Sequence, residues 1–147
     1  MILVRFTDEH AVAVLSWHYE APYDFYDVAS DPDEVDMVWN PVRRDGLRGV
    51  LDGGELIGYF NFVRKEDEVH IGLALRPDQT GRGLGKSFVE HGLAYARREW
   101  HPEGFRLWVA AFNERAIRTY ERVGFSSVRA YCRLEDRVEF IEMERPT

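Results

Sequence analysis

The chain has 147 residues, 45% apolar and 14% aromatic, which suits one domain with a real core and excludes a disordered chain. Net charge −7 and a pI near 5.2 argue against sequence-independent nucleic-acid binding and against an anionic membrane surface, and are compatible with a cationic or amine-bearing partner. The single cysteine, Cys132, excludes a disulfide framework and a cysteine-based metal site, and no apolar run approaches the roughly 18 residues of a membrane span. The expectation is one soluble cytoplasmic domain over residues 1–147, monomer or homodimer, with no metal, nucleic-acid or membrane partner.

Residues 2–7 (ILVRFT) predict a short strand, and Asp8 a cap for a helix over about 9–17. The stretch WHYEAPYDFYDVASDP, residues 17–32, is too irregular for one element. Ser30 or Asp31 then caps a second short helix from Pro32, carrying Val35, Val38 and Trp39 and ended by Pro41. LRGVLD and ELIGYFNFVRK read as two strands joined at Gly53-Gly54, a strong hairpin signal. In the second of these, Leu56, Phe60 and Phe62 alternate with Ile57, Tyr59 and Val63, so both faces are expected to be covered. After a turn at Lys65–Asp67, EVHIGLAL (68–75) makes a third strand, stopped by Pro77.

A long amphipathic helix follows, with Leu84, Phe88, Val89, Leu93, Ala96 and Trp100 in one half-circle, ending near Arg98. FRLWVAAF (105–112) is a buried-looking strand, Asn113 caps a helix to about Val123, and Gly124 closes it. Residues 125–145 read as two strands around Glu135–Arg137. The order β-α-α-β-β-β-α-β-α-β-β predicts an α/β domain: a mixed, largely antiparallel sheet of about seven strands with helices on both faces.

The chemistry concentrates at RPDQTGRGLGKSF, residues 76–88. Glycine costs roughly 0.5–1 kcal/mol per helical position relative to alanine, so three of them at a helix start ask for a reason. Free amides and the helix dipole make such a start an anion site, and glycines let a phosphate come close. The dinucleotide fingerprint G-x-G-x-x-G fails from either start, because Lys86 or Phe88 stands at its third glycine. The P-loop pattern fits Gly85-Lys86-Ser87 but puts Thr80 at its first glycine. Three strands joined by tight turns precede the loop, where a P-loop fold would want parallel strands and crossovers. A glycine-rich turn with no ligand stays open on these residues alone.

HIGLALRPDQTGRGLGKSF resembles the acetyl-CoA-binding segment of the GCN5-related N-acetyltransferases, a strand and turn followed by Gln/Arg-x-x-Gly-x-Gly/Ala at a helix start. Gly83 and Gly85 match the two glycines, while Thr80 stands where Gln or Arg is expected. A second match, Asn113-x-x-Ala116-x-x-x-Tyr120-x-x-x-Gly124-Phe125, falls on the next helix. The resemblance covers residues 47–125 well, and residues 1–46 only in their general layout.

The resemblance implies acetyl transfer from acetyl-CoA to a primary amine in a ternary complex, without a covalent enzyme intermediate. It places the CoA pyrophosphate on the amides of Thr80, Gly81, Arg82, Gly83, Gly85 and Lys86, with the Arg82 and Lys86 side chains in support. Backbone N–H groups of Leu73, Ala74 and Leu75 face the thioester carbonyl, Asn113 belongs to the cofactor motif, and Tyr120 is the acid for the leaving thiolate. Glu68 and His70 share a strand face and are the candidate bases, His70 near the position where some members carry a glutamate; both also suit a solvated strand start. Trp17, Tyr19, Tyr23, Phe25 and Tyr26 are candidates for the acceptor wall, with Glu20, Asp24 and Asp27 attracting a cation. Equally, these aromatics suit a small core pinning a long loop. A non-catalytic acyl-CoA-binding or sensor domain of the same fold is the alternative function.

Overall fold

A computed structural model describes residues 1–147. Its seven strands form one mixed sheet in the order β1-β2-β3-β4-β5-β7-β6, and the element order is the expected one. Two compact units divide the chain, Met1–Asn61 with Leu73–Arg82, and Phe62–Gly72 with Gly83–Thr147.

In the first unit, β1 (Ile2–Arg5) pairs antiparallel with β2 (Leu47–Asp52). Helix α1 (Asp8–Leu15) is capped by Thr7, one residue before the expected Asp8. Thr7 Oγ1 accepts from the His10 amide at 3.2 Å, and His10 Nδ1 accepts from the Thr7 amide at 3.1 Å. This is a capping box with histidine in place of the usual Glu or Gln. Asp8, freed from capping, pairs with Arg44 at 2.6 Å. Helix α2 (Pro32–Trp39) starts as its sequence dictates, with Asp31 accepting from the amides of Asp33 and Glu34 and proline in the first turn. Phe6, Ala11, Val14, Trp17, Val28, Val38, Leu47 and Tyr59 form the core of this unit. The hairpin from β2 to β3 (Glu55–Lys65) turns through Gly53 at φ 60° and Gly54 at φ 85°, the left-handed pair a two-residue turn requires. Along β3, Ile57, Tyr59, Phe60 and Phe62 are buried, but Val63 is 40% exposed, so cover on both faces stops before the strand does.

In the second unit, α3 (Gly85–Trp100) buries Phe88, Val89, Gly92, Leu93 and Ala96 on one stripe. It runs two residues past the expected end, because the Trp100 ring packs on Phe62 and Tyr95 at centroid distances of 5.4 and 6.0 Å. His101, left-handed at φ 48°, then stops it before Pro102. Strand β5 (Gly104–Ala110) pairs along its whole length with β7 (Glu139–Pro146), and β7 carries the edge strand β6 (Ser126–Cys132). Between them lies α4 (Glu114–Arg122), capped by Asn113 and closed by Gly124 at φ 98°. A Cβ at Gly124 would lie 2.9 Å from the outer part of the Arg145 side chain, which can swing aside, so it is the left-handed backbone that calls for glycine there. β4 (Glu68–Leu75) pairs parallel with β5 at Glu68↔Gly104, Val69↔Phe105 and His70↔Arg106. Both strands continue past this three-pair ladder.

Candidate active site

The turn after β4 is held firmly before it opens. The Arg76 amide donates to Ile57 O at 2.7 Å, its guanidinium donates to Leu56 O at 3.0 Å, and Nε donates to Asp78 at 2.6 Å. Thr80 then closes the turn on itself, with both its hydroxyl (2.7 Å) and its amide (3.3 Å) donating to Pro77 O. Thr80 was expected among the free amides; its donors are spent locally, and the open run starts one residue later.

From Gly81 to Ser87 no backbone N–H has a partner in the chain, and Leu84 provides no side-chain cap. The first paired amide is that of Phe88, donating to Leu84 O at 2.9 Å. Gly81 and Gly83 are left-handed at φ 70° and 77°, and nothing lies within 4 Å of where a Gly83 side chain would sit. Gly85 answers a different need. A Cβ there would lie 3.2 Å from Thr119 Cγ2, so this glycine lets α3 start close beside α4. The Arg82 and Lys86 side chains are exposed and form no ion pair. Free amides, a helix dipole and two unpaired cations make this segment suited to a diphosphate.

On α4, the Asn113 side chain accepts from the Ala116 amide at 3.2 Å, so its oxygen serves as a cap. Tyr120 is half-buried, its ring edge-on to Phe125 with centroids 6.1 Å apart. The amides of Gly124 and Phe125 fold back onto Glu121 O and Tyr120 O, which fixes the helix end beneath that ring.

Glu68 and His70 do share a face, and the sheet register brings that face opposite Arg106 and Trp108 on β5 and Glu142 and Glu144 on β7. Arg106 grips Glu68 with two hydrogen bonds (3.1 and 3.0 Å), and also donates to Glu142 (2.7 Å) and Glu144 (2.9 Å). Those bonds hold the Glu68 carboxyl below its ordinary value. Burial pushes Glu142 up, but hydrogen bonds from Arg129, Arg106 and Trp108 outweigh it, and its pKa is lowered too. The lowered pKa makes Glu68 a weaker proton acceptor than a free carboxylate, which leaves His70 the better placed of the two candidate bases. His70 Nε2 lies 3.6 Å from Glu68 Oε1, with the ring edge-on to Trp108 at 4.9 Å. Arg106 was missed in the sequence; its signal was a lone charge inside FRLWVAAF, which a buried strand tolerates only when paired.

The aromatic segment divides in two. Trp17 is 8% exposed and stacks on Tyr59 at 6.3 Å, so it belongs to the core and not to a wall. The Tyr19 hydroxyl donates to Leu75 O at 2.5 Å, and burial, with the nearby Asp27 charge, raises the phenol's pKa. Asp27 is also occupied, accepting from the Tyr19 amide at 2.9 Å and lying 3.1 Å from His18 Nδ1. Tyr23, Phe25 and Tyr26 are half-buried, and Glu20 and Asp24 are exposed. Leu73, Ala74 and Leu75 are half-buried at the end of β4.

The mixed sheet, the glycine turn with open amides after its fourth strand and the helix that follows make up the layout that the resemblance implies. The sequence model of the acetyltransferase (GNAT) family matches residues 9–125, and the chain belongs to that family. It is 40% identical over 76 residues to the mycothiol acetyltransferase of Streptomyces coelicolor, a match covering 49% of this chain and 24% of that protein. Against the spermidine N(1)-acetyltransferase of Vibrio cholerae it is 26% identical over 116 residues, covering 76% of this chain and 65% of that one. The chain therefore spans about a quarter of the mycothiol enzyme and under two thirds of the spermidine enzyme. Among solved structures, AAC(6')-Ib in complex with parmomycin and acetyl-CoA superposes with a TM-score of 0.79 at 18% identity, covering 98% of this chain and 92% of that one. That likeness shows the fold. No helix is long and apolar enough to cross a membrane.

Proposed function

We propose that the protein transfers the acetyl group of acetyl-CoA to a primary amine in the cytoplasm, by direct attack in a ternary complex. The observation that carries this reading is the unpartnered amide run Gly81–Ser87 at the start of α3, in a chain of this family. Amides of Gly81, Arg82, Gly83, Gly85 and Lys86 would hold the pyrophosphate, with the Arg82 and Lys86 side chains adding charge. When bound, acetyl-CoA supplies the activated acyl carbon as a thioester.

The other demands fall on the chain itself. Backbone donors of Leu73, Ala74 and Leu75 are assigned to the thioester oxygen; an aimed donor of this kind contributes about 3 kcal/mol to a transition state. The ladder between β4 and β5 is three pairs long, so β4 runs on past it towards Leu75 with no β5 partner there, which supports a splayed strand end. A lysine-like amine of pKa about 10.4 is under ~0.1% neutral at pH 7, so a base speeds the reaction. His70 takes that role, with Glu68 as the fixed anion beside it. As the C–N bond forms and the C–S bond breaks, Tyr120 gives its proton to the thiolate, and the amine's proton leaves through His70 or water. Tyr23, Phe25 and Tyr26, with Glu20 and Asp24, form the acceptor wall, because aromatic faces and carboxylates both attract an ammonium group.

The test is free-thiol release from acetyl-CoA over a panel of amines that includes polyamines, aminoglycosides and cysteinyl or glucosaminyl amines. Turnover on at least one class is expected. Tyr120→Phe should lower kcat at least about tenfold, with the CoA dissociation constant from calorimetry within about twofold of wild type. CoA binding with no turnover on any amine would instead make the chain a non-catalytic acyl-CoA sensor.

A further inference from the structure

The proton-accepting side of the reaction can be taken further, resting on the reading of the chain as an amine acetyltransferase with His70 as base. Arg106 is the one charged side chain on β5, and Trp108 is the one exposed residue of that strand. Both belong to a closed ring of contacts. Arg106 donates to the two oxygens of Glu68 at 3.1 and 3.0 Å. Glu68 Oε1 faces His70 Nε2 at 3.6 Å, and the imidazole meets Trp108 edge-on at 4.9 Å. Trp108 Nε1 donates to Glu142 Oε1 at 3.2 Å, and Glu142 Oε2 accepts from Arg106 at 2.7 Å, which closes the ring. Arg129 on Glu142 (3.1 Å) and Glu144 on Arg106 (2.9 Å) brace it from outside.

His70 presents the one ring nitrogen of this group without a partner, Nδ1. A carboxylate beside Nε2 favours the tautomer that carries its proton there, which leaves the Nδ1 lone pair as the acceptor. Aim matters as much as charge. A guanidinium grips a carboxylate through two parallel N–H groups, which fixes the direction of its oxygens as well as their position. A point charge would keep Glu68 near without turning it toward the imidazole. The hydrogen bonds from Arg106 also keep Glu68 ionised, because they hold its carboxyl below the ordinary value.

We propose that Arg106 is a positioning residue for the base: it aims Glu68 at His70 Nε2 and, through Glu142 and Trp108, fixes the plane of the imidazole, so that Nδ1 takes the amine's proton. Arg106 touches neither substrate; it acts through Glu68 and Trp108 on His70. As the C–N bond forms, the proton passes from the amine nitrogen to Nδ1 while Nε2 keeps its own. The C–S electron pair leaves on sulfur, which takes the Tyr120 proton. Glu68 stays an anion throughout and balances the imidazolium charge.

A double-mutant cycle in kcat tests this, with spermidine, or the panel amine that turns over fastest, as the probe. His70→Gln should lower kcat about 100-fold. Arg106→Lys, which keeps the charge and loses the fork, should lower it about tenfold with the acceptor KM within about twofold of wild type. The double variant should be within about twofold of His70→Gln alone, because nothing is then left to position. Glu68→Gln, close to isosteric, runs the same cycle and carries the test if Arg106→Lys does not fold; an unchanged CoA dissociation constant identifies folded variants. Losses that multiply to about 1,000-fold in the double variant, or a loss confined to KM, overturn the positioning role. So does a wild-type kcat in Glu68→Gln. If His70→Gln keeps kcat within about twofold, there is no base at His70 to position and the inference falls while acetyl transfer stands. If no amine turns over, the proposed function falls, and the positioning role with it.

Discussion

The turn at Gly81–Ser87 and the charged face of β4, β5 and β7 treat their polar groups in opposite ways. In the turn, successive amides and two cationic side chains have no partner in the chain. On the sheet face, Arg106 alone binds three carboxylates, Trp108 and Arg129 complete Glu142, and no buried side-chain polar atom is left unpaired. Both regions are rich in charge, and charge content alone would nominate either as a binding site. Satisfaction separates them. A saturated network has little left to offer an anionic ligand and fixes Glu68 beside His70, whereas donors left open at the surface can be used by one.

The contrast is broken most forcefully at Arg106. Arg106→Met leaves Glu68 and Glu144 without their shared cation and the buried Glu142 with only Arg129 and Trp108, and should cost on the order of 3 kcal/mol in urea unfolding. CoA affinity, measured by calorimetry on the folded fraction, should not follow it. At the turn the effects should reverse. Gly83→Ala puts a side chain on a left-handed backbone, a cost of about 1–2 kcal/mol, and should weaken CoA about tenfold. Acid sharpens the comparison next. Glu68 and Glu142 have folded pKa values below the ordinary 4.5. Their contribution is therefore complete above pH 4.5 and is lost as pH falls through the lower folded values. Tm should drop across that window in wild type and drop less steeply in Arg106→Met. Smallest is Arg82→Ala, an exposed charge, expected to weaken CoA about two- to threefold and to flatten its salt dependence.

The strand and helix order, the caps at Asp31 and Asn113, the hairpin at Gly53-Gly54 and the stop at Gly124 were all legible in the chain. Each depends on residues adjacent in sequence, where backbone sterics and local hydrogen bonds decide. The glycine turn was legible for the same reason, although Gly85 is glycine because Thr119 lies against it, and that contact is 34 positions away.

What the chain alone determined, then, was which elements form and where the backbone leaves its amides open. Tertiary structure decided which polar side chains are free to act. Glu68 and His70 looked equal as bases until the β4–β5 register set Glu68 against Arg106, and Trp17 and Tyr19 looked like wall until packing put one in the core and bound the other to Leu75. Periodicity and local spacing carry no information about a partner 38 or 56 residues distant. The protonation and freedom of a half-buried side chain depend on that partner, because a nearby charge or carbonyl outweighs the residue's own chemistry.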